Sequence, residues 1–161
     1  MAVCQSFAKN FGLYGHRIGN LAVVCADPAE RARVLSQLKI TARGEYSSPP
    51  IHGARIVRTV LEDAALTQQW RGEVKQIADR LVSIRGKLVA ELQASGSKLD
   101  WSHITKQRGM FAYTGLTKAH VDRLREEYHV YMTANGRTAM TGITSKNVGA
   151  LAAAIHKVTS T

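Results

Sequence analysis

A chain of 161 residues, 45% of them hydrophobic, can bury a real core as one domain or a small pair of subdomains. Its 22 lysines and arginines against 12 acids give a formal charge of +10, which favours nucleic acid, anionic lipid, phosphate or carboxylate ligands without choosing among them. The excess is scattered over helical segments, as at Arg31, Arg33, Lys39, Arg80, Arg85 and Lys87, and aromatics make up only 6% of the residues, so no nucleic-acid partner is expected.

In chain order, residues 1–8 read as a short strand and Ile18 to Ala26 (IGNLAVVCA) as a second, nearly all-apolar one of the kind buried on both faces of a covered sheet. Cys4 and Cys25 are expected to be reduced, buried thiols of an intracellular protein. No basic segment leads into a hydrophobic one and no apolar run approaches a membrane span, so no membrane partner is expected; the expected setting is cytoplasmic, with a mitochondrial one left open. Asp27-Pro28-Ala29-Glu30 starts a helix, with a side-chain cap, a proline at the first helical position and an acid in the first turn, running towards Ile40. Polar and conformationally special residues around Arg43, and the break at Ser47-Ser48-Pro49-Pro50, link it to a further helix from Gly53 to Leu61.

From Leu66 to about Ala94 the apolar positions Leu66, Trp70, Val74, Ile77, Leu81, Ile84, Leu88 and Leu92 recur every three or four residues, which predicts one long amphipathic helix, weakened slightly by Gly86. After Ser95-Gly96-Ser97 come a strand at Met110–Thr114, a helix at Lys118–Tyr128 and a strand at His129–Met132. A turn at Asn135-Gly136, a strand at Thr138–Gly142 and a helix at Ser145–Val158 complete the chain. That alternation predicts a small α/β layer after a long connector helix.

The stretch SFAKNFGLYGHRIGN, residues 6–20, puts Lys9 at the end of an apolar strand, where side chains meet ligands at the rim of a sheet. An isolated lysine there would ordinarily snorkel to water. A partly desolvated amine beside a cation can instead attack a carbonyl, and Arg17 is a candidate for that cation. Arg17 can equally bind phosphate, Ser6 offers a hydroxyl, and Gly12, Gly15 and Gly19 allow backbone to approach a ligand closely. The six histidines show no paired ligand spacing, so no metal is assigned and His16 is expected at a surface or interface.

Ser6-Phe7-Ala8-Lys9 followed by Gly12, Leu13, Arg17 and Gly19 resembles the pyridoxal-phosphate attachment motif of the class I aminotransferases, and the fuller wording is similar to the aspartate aminotransferases among them. The resemblance implies an α/β fold, the C-terminal part of a fold-type I pyridoxal-phosphate-dependent transferase. It assigns residues 1–65 to the end of the large domain, 66–95 to a connector helix and 96–161 to a small α/β domain. It also implies pyridoxal phosphate as cofactor, Lys9 as its covalent attachment and later the carrier of the substrate's proton, and Ser6 and Arg17 as holders of its phosphate.

Residues 36–57, SQLKITARGEYSSPPIHGARIV, are similar to the family segment whose arginine reaches into the neighbouring subunit's active site and grips a side-chain carboxylate. This implies that role for Arg43, and a homodimer. GMFAYTGL (109–116) and YMTANGRTAMTGI (131–143) are similar to small-domain segments and put Arg137 on the arginine that binds the substrate α-carboxylate. Two planar guanidiniums suit dicarboxylic amino acids and 2-oxo acids better than two lysines would. A helix C-terminal cation at Arg43 and a solvated turn residue at Arg137 are the plain alternatives.

The implied reaction exchanges the amino group between L-aspartate and 2-oxoglutarate, giving oxaloacetate and L-glutamate. His16 departs from the family pattern, where an acid is common. The family portion preceding the lysine motif, which supplies the acid for the pyridinium nitrogen and the stacking aromatic, has no counterpart here, so the chain alone is expected to be inactive. A truncated, non-catalytic interaction protein built on the same scaffold is the alternative.

Overall fold

In the computed structural model, which describes residues 1–160, the elements run β1 (Ala2–Ser6), β2 (Gly19–Val23), α1 (Pro28–Tyr46), α2 (His52–Glu62), α3 (Ala64–Ala94), α4 (Ser102–Lys106), β3 (Phe111–Tyr113), α5 (Lys118–Tyr128), β4 (Arg137–Ala139) and α6 (Val148–Thr159). They form two compact units, Met1–Val74 and Lys75–Thr161, whose boundary falls inside α3.

In the first unit β1 and β2 pair antiparallel, from Ala2 opposite Val23 to Ser6 opposite Gly19. Only glycine fits at position 19, because a Cβ there would lie 2.8 Å from the Gln5 carbonyl oxygen. The burial expected of 18–26 is not observed: every residue of both strands is exposed, and Val24, just past β2, is 63% exposed. β2 pairs with β1 alone, so its apolar side chains meet solvent. Cys4 is likewise exposed and Cys25 half-buried, both free thiols, which corrects their expected burial.

The start of α1 follows from its first residues. Asp27 Oδ1 accepts from the Glu30 amide at 2.7 Å, Glu30 Oε2 accepts from the Ala26 amide at 2.5 Å, and Pro28 opens the helix. The helix runs past Ile40 to Tyr46, since nothing before Ser47, with φ 60°, stops it. Arg43 therefore lies in its last turn and not in a linker. In α2, Gly53 and Val57 face inwards. A Cβ on Gly53 would come within 3.0 Å of His16 Cβ and 3.3 Å of Ile18, so the first turn of α2 lies directly on the 16–18 segment.

The second unit holds the core. Ile84, Leu88 and Leu92 on α3 bury with Trp101, Ile104, Leu116, Leu124, Met140, Ile155 and Val158. β3 and β4 pair antiparallel, Phe111 opposite Ala139 and Tyr113 opposite Arg137. No strand forms at His129–Met132: His129 turns left-handed (φ 54°) to close α5, and the Val130 amide returns to the Leu124 carbonyl at 3.0 Å. The strand expected at Thr138–Gly142 is divided between β4 and a 3-10 turn, Met140–Gly142, that buries Met140. α6 starts at Val148 and not at Ser145, because the Asn147 side chain accepts from the Thr144 amide at 2.7 Å and holds that segment as a turn.

Arg85 departs from the picture of basic residues spread over solvated faces. It is 3% exposed, and its guanidinium donates to the carbonyls of Ile104 at 3.0 Å, Gly109 at 2.8 Å and Phe111 at 2.7 Å. Burial first and Arg108 second lower its pKa from the usual arginine value. The group stays charged all the same, with carbonyl dipoles in place of a counter-ion. Arg80, one turn earlier, donates to the carbonyls of Thr141 and Ile143 at 3.3 and 3.0 Å.

Arg85→Met keeps the apolar stem but leaves three carbonyls unpartnered, and is expected to cost the second unit about 3 kcal/mol. Arg85→Lys should recover less than half of this, because an ammonium lacks the planar fork that reaches three acceptors. Urea unfolding followed by Trp101 fluorescence reads both; a midpoint unchanged in Arg85→Met would show that the carbonyls find other donors.

Candidate active site

The paired ends of β1 and β2 leave residues 7–18 as a loop, closed at its base by the Phe7 amide donating to the Ile18 carbonyl at 3.0 Å. Within it the amides of Phe11 and Leu13 both donate to the Phe7 carbonyl, at 3.3 and 3.4 Å, and Gly12 takes φ 67° to return its amide to the Lys9 carbonyl at 3.2 Å. The motif's apolar residues are its anchor. Ala8 and Leu13 are buried, Phe7 meets Phe11 edge-on at 5.4 Å, and Phe11 stacks on Trp70 of α3 at 4.5 Å. The Trp70 indole N–H donates to the Asn10 carbonyl at 2.8 Å. Lys9, between buried Ala8 and tethered Asn10, is exposed.

The Lys9 ammonium lies over the Tyr14 ring, 3.7 Å from its centroid. Arg17 has a left-handed backbone (φ 49°) and its Nη1 is 3.4 Å from the Tyr14 carbonyl. The Ser6 hydroxyl accepts the Ala8 amide at 3.2 Å. Ser6 and Arg17 line one open depression of about 390 Å³ together with Gln5, Ala8, Ile18 and Asn20, and no acid lines it. A guanidinium and a hydroxyl on an acid-free surface suit an anion. Lys9 does not line that depression. Next to Lys9 in the chain, Asn10 Oδ1 is buried without a hydrogen-bond partner among the described residues.

Arg43, in the last turn of α1, is exposed and takes part in none of the ion pairs among the described residues. Arg137 belongs to the second unit. Its carbonyl accepts from the Thr133 amide at 3.2 Å and the Thr133 hydroxyl at 2.9 Å, its amide donates to Asn135 Oδ1 at 3.2 Å, and its guanidinium sits 4.7 Å from the Phe111 ring centroid. Ser6 and Arg17 thus share one depression, with Lys9 on the same loop but outside it, while Arg43 and Arg137 stand on other elements.

Sequence reasoning missed the aromatics that do the positioning: Tyr14, Phe111 and, in part, Trp70. Trp70 was legible only as one member of the α3 stripe, and nothing in a glycine-rich loop marks which ring a cation will meet. Among the described residues no group of three or more His, Cys, Asp or Glu could hold a metal ion, and no helix is long and apolar enough to cross a membrane.

Comparison with known proteins follows the same lines. The family described as aminotransferase class I and II matches residues 1–155. The mitochondrial aspartate aminotransferase of Arabidopsis thaliana is 54% identical over 159 residues, which is 99% of this chain and 37% of that protein. The chain therefore spans about 37% of the length of this curated relative. A mitochondrial aspartate aminotransferase structure from Trypanosoma brucei has a TM-score of 0.94 at 50% identity, covering 98% of this chain and 42% of that one. An aromatic-amino-acid aminotransferase from Burkholderia pseudomallei, solved covalently bound to pyridoxal phosphate, has a TM-score of 0.94 at 44% identity over 98% of this chain and 39% of that one.

The strand pair that presents Arg137 depends on Gly136, whose φ is 79° and where a Cβ would lie 2.8 Å from the Leu116 carbonyl oxygen and 3.0 Å from Thr114 Oγ1. Gly136→Ala is expected to destabilise the second unit by about 2 kcal/mol through strain and lost close approach. Thermal unfolding measures the loss, and the ring signals of Phe111 in NMR spectra should shift with it. An unaltered melting curve would mean that β3 and β4 separate at no cost.

Proposed function

The chain belongs to the class I and II aminotransferases, and from that premise we propose that it forms the lysine-bearing and small-domain part of an aspartate aminotransferase. The enzyme would move the amino group between L-aspartate and 2-oxoglutarate with pyridoxal phosphate as cofactor. The observation that carries this reading is the 7–18 loop, which offers an exposed amine at Lys9 next to an anion-suited depression lined by Ser6 and Arg17. That donor set fits the cofactor: a primary amine for its aldehyde, and a hydroxyl with a guanidinium for its phosphate. When bound, pyridoxal phosphate supplies an electron-withdrawing ring that stabilises negative charge at the substrate's Cα.

The chain's own residues then divide the work. Arg17 and the Ser6 hydroxyl would hold the phosphate and so orient the cofactor; the Lys9 amine would anchor the cofactor covalently at its aldehyde with loss of water and, when released, would hold and move the proton of the substrate's Cα. The face of Tyr14 keeps that ammonium beside the loop. Arg137 binds the α-carboxylate, with its backbone fixed by Thr133 and Asn135. Arg43 binds the distal carboxylate across a homodimer, which selects dicarboxylic amino acids and 2-oxo acids. In this reading residues 1–65 belong to the large domain, 66–95 to the connector helix and 96–161 to the small domain.

Borohydride trapping with pyridoxal phosphate tests the site on the chain itself. The reduced label should map to Lys9 in preference to the other lysines, and Arg17→Ala should weaken labelling about tenfold or more, as expected for the loss of a charge-assisted phosphate contact. Labelling spread evenly over the lysines, or undiminished in Lys9→Ala, would overturn the assignment.

Substrate selection is read in the active enzyme that carries this chain. Arg43→Asp should lower kcat/KM for aspartate by at least about a hundredfold, since it removes the charge pair with the distal carboxylate and adds repulsion. Amino acids with uncharged side chains should be affected far less. Arg137→Ala should depress all amino-acid substrates alike, because each carries an α-carboxylate, and identical substrate profiles for the two variants would contradict the division of roles.

A further inference from the structure

We propose that His16 and His52 form a two-imidazole site for a borderline divalent cation of the zinc class. Far apart in sequence, the two rings lie with centroids 5.3 Å apart and planes tilted by 42°. Two imidazoles bound through nitrogen at about 2.0–2.1 Å to one tetrahedral ion have ring centroids roughly 5 Å apart. The pair thus already has the centroid separation that a shared ion requires.

The backbones that carry the rings are fixed independently of the rings. The His16 amide donates to the Leu13 carbonyl at 3.3 Å, and Gly53, next to His52, has no Cβ to keep α2 away from the His16 Cβ, which would lie only 3.0 Å from one. Both imidazoles are exposed, so an ion can enter and water can complete its coordination. With two protein ligands and no third His, Cys, Asp or Glu grouped with them among the described residues, exchange is fast and affinity modest. Arg17, adjacent to His16, and Arg55, one turn along α2 from His52, bring positive charge. Affinity therefore comes from holding both nitrogens together and not from the local field. An ion held here ties the 7–18 loop to the first turn of α2. The site rests on this geometry alone and does not depend on the proposed transamination.

Zinc chloride titration of the full chain, followed by calorimetry and by the histidine ring signals in NMR spectra, tests it. The His16 and His52 signals should move together over one equivalent of zinc. His16→Gln and His52→Gln should each weaken zinc binding by about tenfold or more, and the double variant should bind no more weakly than either alone, since one chelate is lost once. Circular dichroism should be unaltered in all three, as both side chains are exposed. Zinc binding that survives both substitutions, on Cys4, Cys25 or the other histidines, would overturn the proposal, as would ring signals of His16 and His52 that titrate separately.

Discussion

Backbone that leaves regular helix or strand must still find partners for its carbonyls, and in this chain α3 supplies many of the donors. Trp70 donates to the Asn10 carbonyl and stacks on Phe11, which holds the lysine loop. Arg80 donates to Thr141 and Ile143, and Arg85 to Ile104, Gly109 and Phe111, which holds the segments around β3 and the 3-10 turn. Within each unit, the residues assigned to binding depend on this constraint. Lys9 can stand exposed on a loop, and β3 can stay in place beneath Arg137, only because irregular backbone nearby is tethered to side chains of a long helix.

The cations assigned to anion binding share a second property. Lys9, Arg17, Arg43 and Arg137 enter no ion pair among the described residues, whereas Lys118, Arg123 and Arg125 on α5 all pair with acids of the same helix. Where the former have a neighbour, it is a ring or a carbonyl: Tyr14 for Lys9 and Arg17, Phe111 for Arg137. An aromatic face steadies a cation without neutralising it, so an incoming phosphate or carboxylate has no acid to displace. The proposed site for dicarboxylic substrates calls for such an arrangement.

The two units differ in how they use apolar residues. The second buries a continuous cluster from Ile84 to Val158, while in the first the buried apolar side chains are Ala8, Leu13 and Val57, and α1 buries none. Leu35, Leu38 and Ile40 on α1 and Leu21 and Val24 near β2 face solvent. Apolar surface on this scale is usually covered by further protein, which agrees with the proposal that α1, with Arg43 at its end, meets a second subunit.

Local chemistry was legible from the sequence wherever the deciding groups are close along the chain. The start of α1 at Pro28, the span of α5 from Lys118 to Tyr128 and the length of α3 follow from caps and periodicity. Tertiary structure alone decided what depends on distant partners. Leu21 and Val24 are apolar, yet their strand lies open because burial is set by what packs on a sheet and not by the strand's composition. Arg85 looks like any surface cation until Ile104, Gly109 and Phe111 turn their carbonyls towards it. His16 and His52 share no spacing that a motif could record; a glycine at position 53 lets α2 approach, and only that approach makes them neighbours.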